Sequence, residues 1–119
     1  MSTPSETRTR DDWARAAAQV TPAPGHFIGG RSVPSRSGQT MPCINPANGQ
    51  AIAQVARGQA QDVDAAVASA QAAWRDGRWR LQSPHQRMVV LQRWADLIEQ
   101  HAHELALLET LDMGKPISD

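Results

Sequence analysis

Residues 108–116 read Leu108-Glu109-Thr110-Leu111-Asp112-Met113-Gly114-Lys115-Pro116. Leu105, Leu108 and Leu111 recur at helical spacing, and the run ends at Gly114 with Pro116 just beyond. That is the pattern of a helix stopped by a glycine in left-handed backbone. Asp112 falls in the last turn, where unpaired carbonyls make the surroundings negative and disfavour a carboxylate. A compensating group is expected there: Lys115, an arginine elsewhere, water or a bound cation. Spacing alone favours plain solvent exposure. Gly114-Lys115 is not the end of a phosphate-binding loop, because Glu109 stands where that pattern needs glycine and Pro116 where it needs Ser or Thr.

Working back from this helix end, Ser83-Pro84-His85-Gln86 marks a helix start. Ser83 can accept from the first turn, Pro84 loses no needed N–H, and Gln86 can reach back to close a capping box. Val90, Leu91, Trp94, Ala95 and Ile98 then lie on one stripe. Ser83 to Met113 is long for one globular helix, so a break is expected near His101 to His103. Before it, Val63, Ala66, Val67, Ala70 and Trp74 repeat with helical period, with Asp62 as N-cap and Gly77 as the stop.

Further back the period becomes that of strands. Phe27-Ile28 and Arg31-Ser32-Val33 flank Gly29-Gly30, and the runs 40–44 and 51–56 flank Asn45-Pro46-Ala47-Asn48-Gly49. Both intervals carry hairpin-turn chemistry. Pro42 has no backbone donor, which places its strand at an edge or a bulge. Asp11 or Asp12 is expected to cap a short helix over 11–20 that ends before Thr21-Pro22-Ala23-Pro24-Gly25, and residues 1–10 read as a disordered tail.

The composition excludes several classes. Twelve basic and twelve acidic residues give zero formal net charge, so nothing points to nucleic acid or an anionic membrane. The sequence has no apolar run of transmembrane length, and MSTPSETRTRDD lacks the apolar stretch expected of a secretory signal. A single cysteine, Cys43, forms no internal disulfide and fits a reducing, cytoplasmic setting. With apolar residues concentrated after Val63, the chain has material for only a thin core.

No catalytic constellation emerges from the residues. Cys43 lies in a strand with no helix N-terminus to activate it, and a packed, inert thiol is the better reading. His101 and His103 fall on different helix faces, while His101 with Glu104 offers only two ligands. Arg75, Arg78 and Arg80 are accounted for by an exposed helix end and loop. On composition alone, a small helical protein-interaction module with no catalytic activity remains open.

Four stretches taken in order carry a resemblance: Phe27-Ile28 with Gly30; residues 44–49, INPANG; Asp62-Val63-Asp64 with Ala66-Val67; and residues 108–116. Together they resemble the start of an aldehyde dehydrogenase, over roughly residues 11–119. Trp13, the stretch 77–84 and the stretch 104–117 look most like the γ-glutamyl-γ-aminobutyraldehyde dehydrogenase branch of putrescine degradation. The resemblance implies an α/β parent fold with a Rossmann-like cofactor domain. Residues 26–119 would form the incomplete N-terminal part of that domain, as short strands and hairpins followed by two or three amphipathic helices.

It also implies oxidation of an aldehyde, such as an aminoaldehyde, to the carboxylate with NAD or NADP, in a homodimer or homotetramer. The family's chemistry uses a cysteine nucleophile, a glutamate that activates water and an oxyanion hole. None of these matches a residue here, so the chain is expected to be the leading, inactive part of a larger enzyme. The catalytic and cofactor-binding residues would lie beyond Asp119. One family site does map onto this chain. A monovalent cation, K+ or Na+, would be held by the backbone carbonyls of Cys43 and Ile44 and the carboxylate of Asp112. Without the rest of the parent, the stripe of Leu91, Trp94 and Ile98 should stay partly exposed and the chain marginally stable.

Overall fold

A computed structural model describes residues 8–118 of the chain. Gly29 and Gly30 take φ of 63° and 79°, the left-handed backbone that a two-residue hairpin turn asks of both central positions. They join β1 (His26–Ile28) to an antiparallel β2 (Arg31–Val33), with Ile28 opposite Arg31. The second hairpin pairs β3 (Thr40–Ile44) with β4 (Ala51–Ala56), antiparallel. Asn45 organises its turn. The backbone carbonyl accepts from Gly49 N–H at 2.8 Å and the side chain accepts from Ala47 N–H at 2.9 Å.

Pro42 sits opposite Gln54 in a sheet of two strands, where each strand has a free edge and a missing donor is tolerated. One step further the register slips. Cys43 faces Ala53 while Ile44 faces Ala51, so Ile52 is the extra residue of a bulge.

The helices are α1 (Arg10–Ala17), α2 (Ala60–Arg75), α3 (Pro84–Gln100) and α4 (Ala102–Met113). Ser83 caps α3 as its sequence predicts, accepting from Gln86 N–H at 3.2 Å while Gln86 Oε1 accepts from Ser83 N–H at 2.8 Å. The break falls at His101, whose φ of −103° and ψ of 13° separate α3 from α4. Gly114 closes α4 in left-handed backbone at φ 77°.

Two helix starts differ from expectation. The cap of α1 is Thr9, not Asp11 or Asp12, because the Thr9 hydroxyl and the Asp12 carboxylate satisfy each other's backbone N–H groups. That helix also stops at Ala17, short of residue 20. For α2 the cap is Gln59, and Asp62 stands three residues inside, where outside partners claim its carboxylate. Arg10 of the expected tail opens α1 with Thr9 as its cap, and residues 1–7 lie outside the described part.

Little of this is buried. Leu107, at 6% exposure, is the one buried apolar side chain among the described residues. α1 lies on α4 through Trp13 and His103, whose rings meet edge to face at 5.5 Å between centroids. α2 lies beside β1, and α3 adjoins α4. Val63, Val67 and Trp74 of α2 are exposed, as are Leu91, Trp94 and Ile98 of α3. The radius of gyration is 18.1 Å, against about 13.5 Å for a compact domain of this length. The shape is a slab of 49 × 46 × 19 Å, hardly thicker than one helix with its neighbours, since a helix with side chains is about 10–12 Å across.

Candidate functional site

The bulge in the second hairpin and the end of α4 meet along an open, largely apolar groove of about 720 Å³. Cys43 and Ile44 line it from β3, Ile52 and Val55 from β4, and Leu108 and Asp112 from α4. All three residues assigned to the cation site, Cys43, Ile44 and Asp112, therefore border one cavity. The helix end passes close to the hairpin turn. A Cβ built on Gly114 would stand 3.2 Å from Pro46 Cγ.

At the groove's polar end the Cys43 thiol donates to Asp112 Oδ1 at 2.9 Å, joining residues 69 positions apart. Lys115 is not the compensating group, since its Nζ lies 3.5 Å from Glu109 Oε2. Asp112 itself is exposed. The bond to Asp112 pushes the Cys43 thiol above the ordinary thiol range, with burial and the carboxylate's charge acting in the same direction. Such a thiol is a poor nucleophile at neutral pH, in keeping with its reading as inert.

Of these three residues Asp112 brings carboxylate oxygen to the groove, and the ladder is irregular at the step from Cys43 to Ile44. Oxygen ligands of this kind suit alkali and alkaline-earth ions. Among the described residues no group of three or more His, Cys, Asp or Glu is arranged for a metal. His101 Nδ1 and Glu104 Oε2 are 3.2 Å apart, but both side chains are more than half exposed and no third ligand joins them.

A second polar centre was not foreseen. Asp62, 5% exposed, accepts from Arg36 N–H at 2.9 Å, from the Ser35 hydroxyl at 3.0 Å and from Gln59 N–H at 2.9 Å. These donors hold its carboxyl below the usual range, the Arg36 and Gln59 amides contributing most. It fastens the segment between β2 and β3 to the start of α2. An Asp three residues after the cap was the local signal, but the partners 26 and 27 residues away had none. The arginine group proves local: Arg78 pairs with Asp76, and Arg80 Nε donates to the Trp74 carbonyl at 2.8 Å.

Residues 33–119 match the aldehyde dehydrogenase family, and the chain belongs to that family. Over 115 residues it is 44% identical to the aminoacetaldehyde dehydrogenase of Pseudomonas aeruginosa, covering 97% of this chain and 23% of that enzyme. Among solved structures it superposes on an indole-3-acetaldehyde dehydrogenase of P. syringae in complex with NAD+ with a TM-score of 0.92. Identity there is 46%, over 95% of this chain and 23% of that one. The γ-glutamyl-γ-aminobutyraldehyde dehydrogenase of Burkholderia cenocepacia gives the same TM-score, 0.92, at 44% identity, over 94% of this chain and 23% of that one. The chain thus spans about a quarter of the length of these relatives. The fold is that of the corresponding part of an aldehyde dehydrogenase, and the described residues make two small hairpins and four helices. Among the described residues no helix is long and apolar enough to cross a membrane.

Proposed function

We propose that this chain serves as the N-terminal part of the cofactor-binding domain of a cytoplasmic, homo-oligomeric aldehyde dehydrogenase. The enzyme would oxidise an aminoaldehyde such as γ-glutamyl-γ-aminobutyraldehyde to its carboxylate with NAD+ or NADP+. The observation that carries the reading is the match of residues 33–119 to the family, together with superposition on relatives whose substrates are aldehydes and one of which holds NAD+. The aminoaldehyde preference draws on the relatives named for aminoacetaldehyde and γ-glutamyl-γ-aminobutyraldehyde.

In this reading the chain contributes scaffold and part of a cation site rather than chemistry. Its only cysteine is hydrogen-bonded to Asp112, 2.9 Å away, and is the wrong group for attack on a carbonyl. The exposed faces of α2 and α3 fit the role of an outer layer, to be covered by the remainder of the cofactor domain. A monovalent cation at Cys43, Ile44 and Asp112 would neutralise the carboxylate at the end of α4 and tie that helix to β3.

The test is an assay of aldehyde-dependent NADH and NADPH formation by the enzyme that carries this segment. Aminoacetaldehyde, γ-glutamyl-γ-aminobutyraldehyde and indole-3-acetaldehyde would each be supplied. Highest kcat/KM is expected for an aminoaldehyde, and the 119-residue chain by itself is expected to form neither product. Preference for the indole substrate overturns the substrate assignment. Absence of any aldehyde-dependent reduction by the enzyme overturns the activity.

A further inference from the structure

We propose that α1 is a releasable strap: Trp13 latches it to α4 at His103, and while latched it holds Pro22 and Ala23 as one wall of the groove between β3 and α4. The helix is 8 residues long, and a helix shorter than about 12 residues does not persist by itself in water. Its order therefore depends on docking. Its hydrogen bonds are its own: Thr9 and Asp12 close the capping box, and Arg15 pairs with Asp12. Among the described residues none of them reaches another element, and α1 contains no fully buried side chain.

What fastens it is one ring. Trp13 meets the His103 ring of α4 edge to face, with centroids 5.5 Å apart, and the Arg8 guanidinium lies 5.0 Å from the Trp13 ring centroid. Both arrangements are attractive for an indole. Ala16 and Ala17 are half-buried on the same helix, but an alanine has a single methyl to bury against the large ring of a tryptophan.

Beyond α1 the chain passes through Pro22 and Ala23, which line the groove together with Met41 and Leu108. It is then tied down at Pro24, whose carbonyl accepts from Ala56 N–H at 2.7 Å. The segment is thus fixed at two points, to α4 by Trp13 and to β4 by Pro24. Pro22 and Pro24 hold φ at two of the positions between, which stiffens the wall. Losing the Trp13 latch frees one end, lets α1 melt as a unit and opens the groove on that side.

Amide hydrogen exchange of the full chain, read residue by residue by NMR, tests this. In Trp13→Ala the amides of residues 13–20 should exchange faster than in wild type by on the order of tenfold. His103→Ala should do the same to a lesser degree. The Ala56 amide should exchange severalfold faster, while α2 and α3 keep their wild-type rates. Trp13→Phe, which keeps an aromatic ring, should fall nearer wild type than Trp13→Ala does.

Unchanged exchange at residues 13–20 in Trp13→Ala overturns the latch, as does a Trp13→Phe variant no slower than Trp13→Ala. Faster exchange there with Ala56 unmoved overturns the wall. Should Trp13→Ala loosen the whole chain, the wild type decides alone through the urea dependence of its exchange. Residues 13–20 should then open with a smaller dependence on urea than α2 and α3, and an equal dependence overturns the strap.

Discussion

Asp62 and Asp12 hold the same local position, three residues after a helix cap, yet their surroundings differ. Asp12 answers only to Thr9 and Arg15 beside it on an exposed helix. Asp62 is buried and gathers donors from the segment before β3 as well as from its own cap. Its carboxyl is depressed in the folded chain, so its stabilising contribution is in place above the unfolded value of about 3.9 and is lost as pH falls toward the folded value. Thermal melts at stepwise lower pH should show Asp62→Asn already less stable than wild type at pH 7. The difference should shrink as acid protonates the wild-type carboxyl. A difference independent of pH down to about 2 would falsify this account of Asp62. Asp12 and Asp76 are depressed as well, but both remain in the variant and cancel in the comparison.

At the scale of elements, what was legible in the sequence is what neighbours in the chain decide. Gly29-Gly30, the Asn45 to Gly49 turn, the box at Ser83 and the stop at Gly114 depend on residues within a few positions, and each stands where its spacing placed it. The start of α2 and the place of Cys43 depend on partners 26 to 69 residues away, which periodicity does not reach. Asp62 looked like a cap because acidic residues favour helix starts; the amide of Arg36 and the hydroxyl of Ser35 gave it another task. The cation-site residues came from the family resemblance alone, since nothing local links positions 43 and 112.

A test at the end of α4 separates local from distant effects. Gly114→Ala meets left-handed backbone, at a cost of about 1–2 kcal/mol, and also presses on Pro46 at 3.2 Å. Gly38→Ala has a similar φ of 69° with nothing within 4 Å. Urea midpoints should therefore place Gly114→Ala below Gly38→Ala. Equal midpoints would show that the turn and the helix end do not support each other.

Over the whole molecule, the slab shape and the scarcity of buried apolar groups set the physical behaviour of the chain. Trp74 and Trp94 are 66% and 62% exposed. Their emission should already lie toward the red in the native chain, with little further shift in urea. A dye that fluoresces on apolar surface should bind the native chain, because Leu91, Trp94 and Ile98 share one open face. A blue native emission together with no dye binding would show that this face is covered in solution. The aldehyde dehydrogenase fold accounts for the pattern: helices written with an apolar stripe, and a layer too thin to bury it.

The clasp between Cys43 and Asp112 also bears on the order in which the chain gains its shape. Bringing together residues 69 positions apart closes a far longer loop than the 26 positions between Arg36 and Asp62. Treated as flexible loops, the longer costs about 0.9 kcal/mol more in chain entropy. The knot at Asp62 is thus the cheaper one to tie, and the clasp can follow on an already shortened tether. On loop-closure entropy alone, β3 and the end of α4 are expected to meet after the knot at Asp62 is tied, and the groove is expected to open before that knot does.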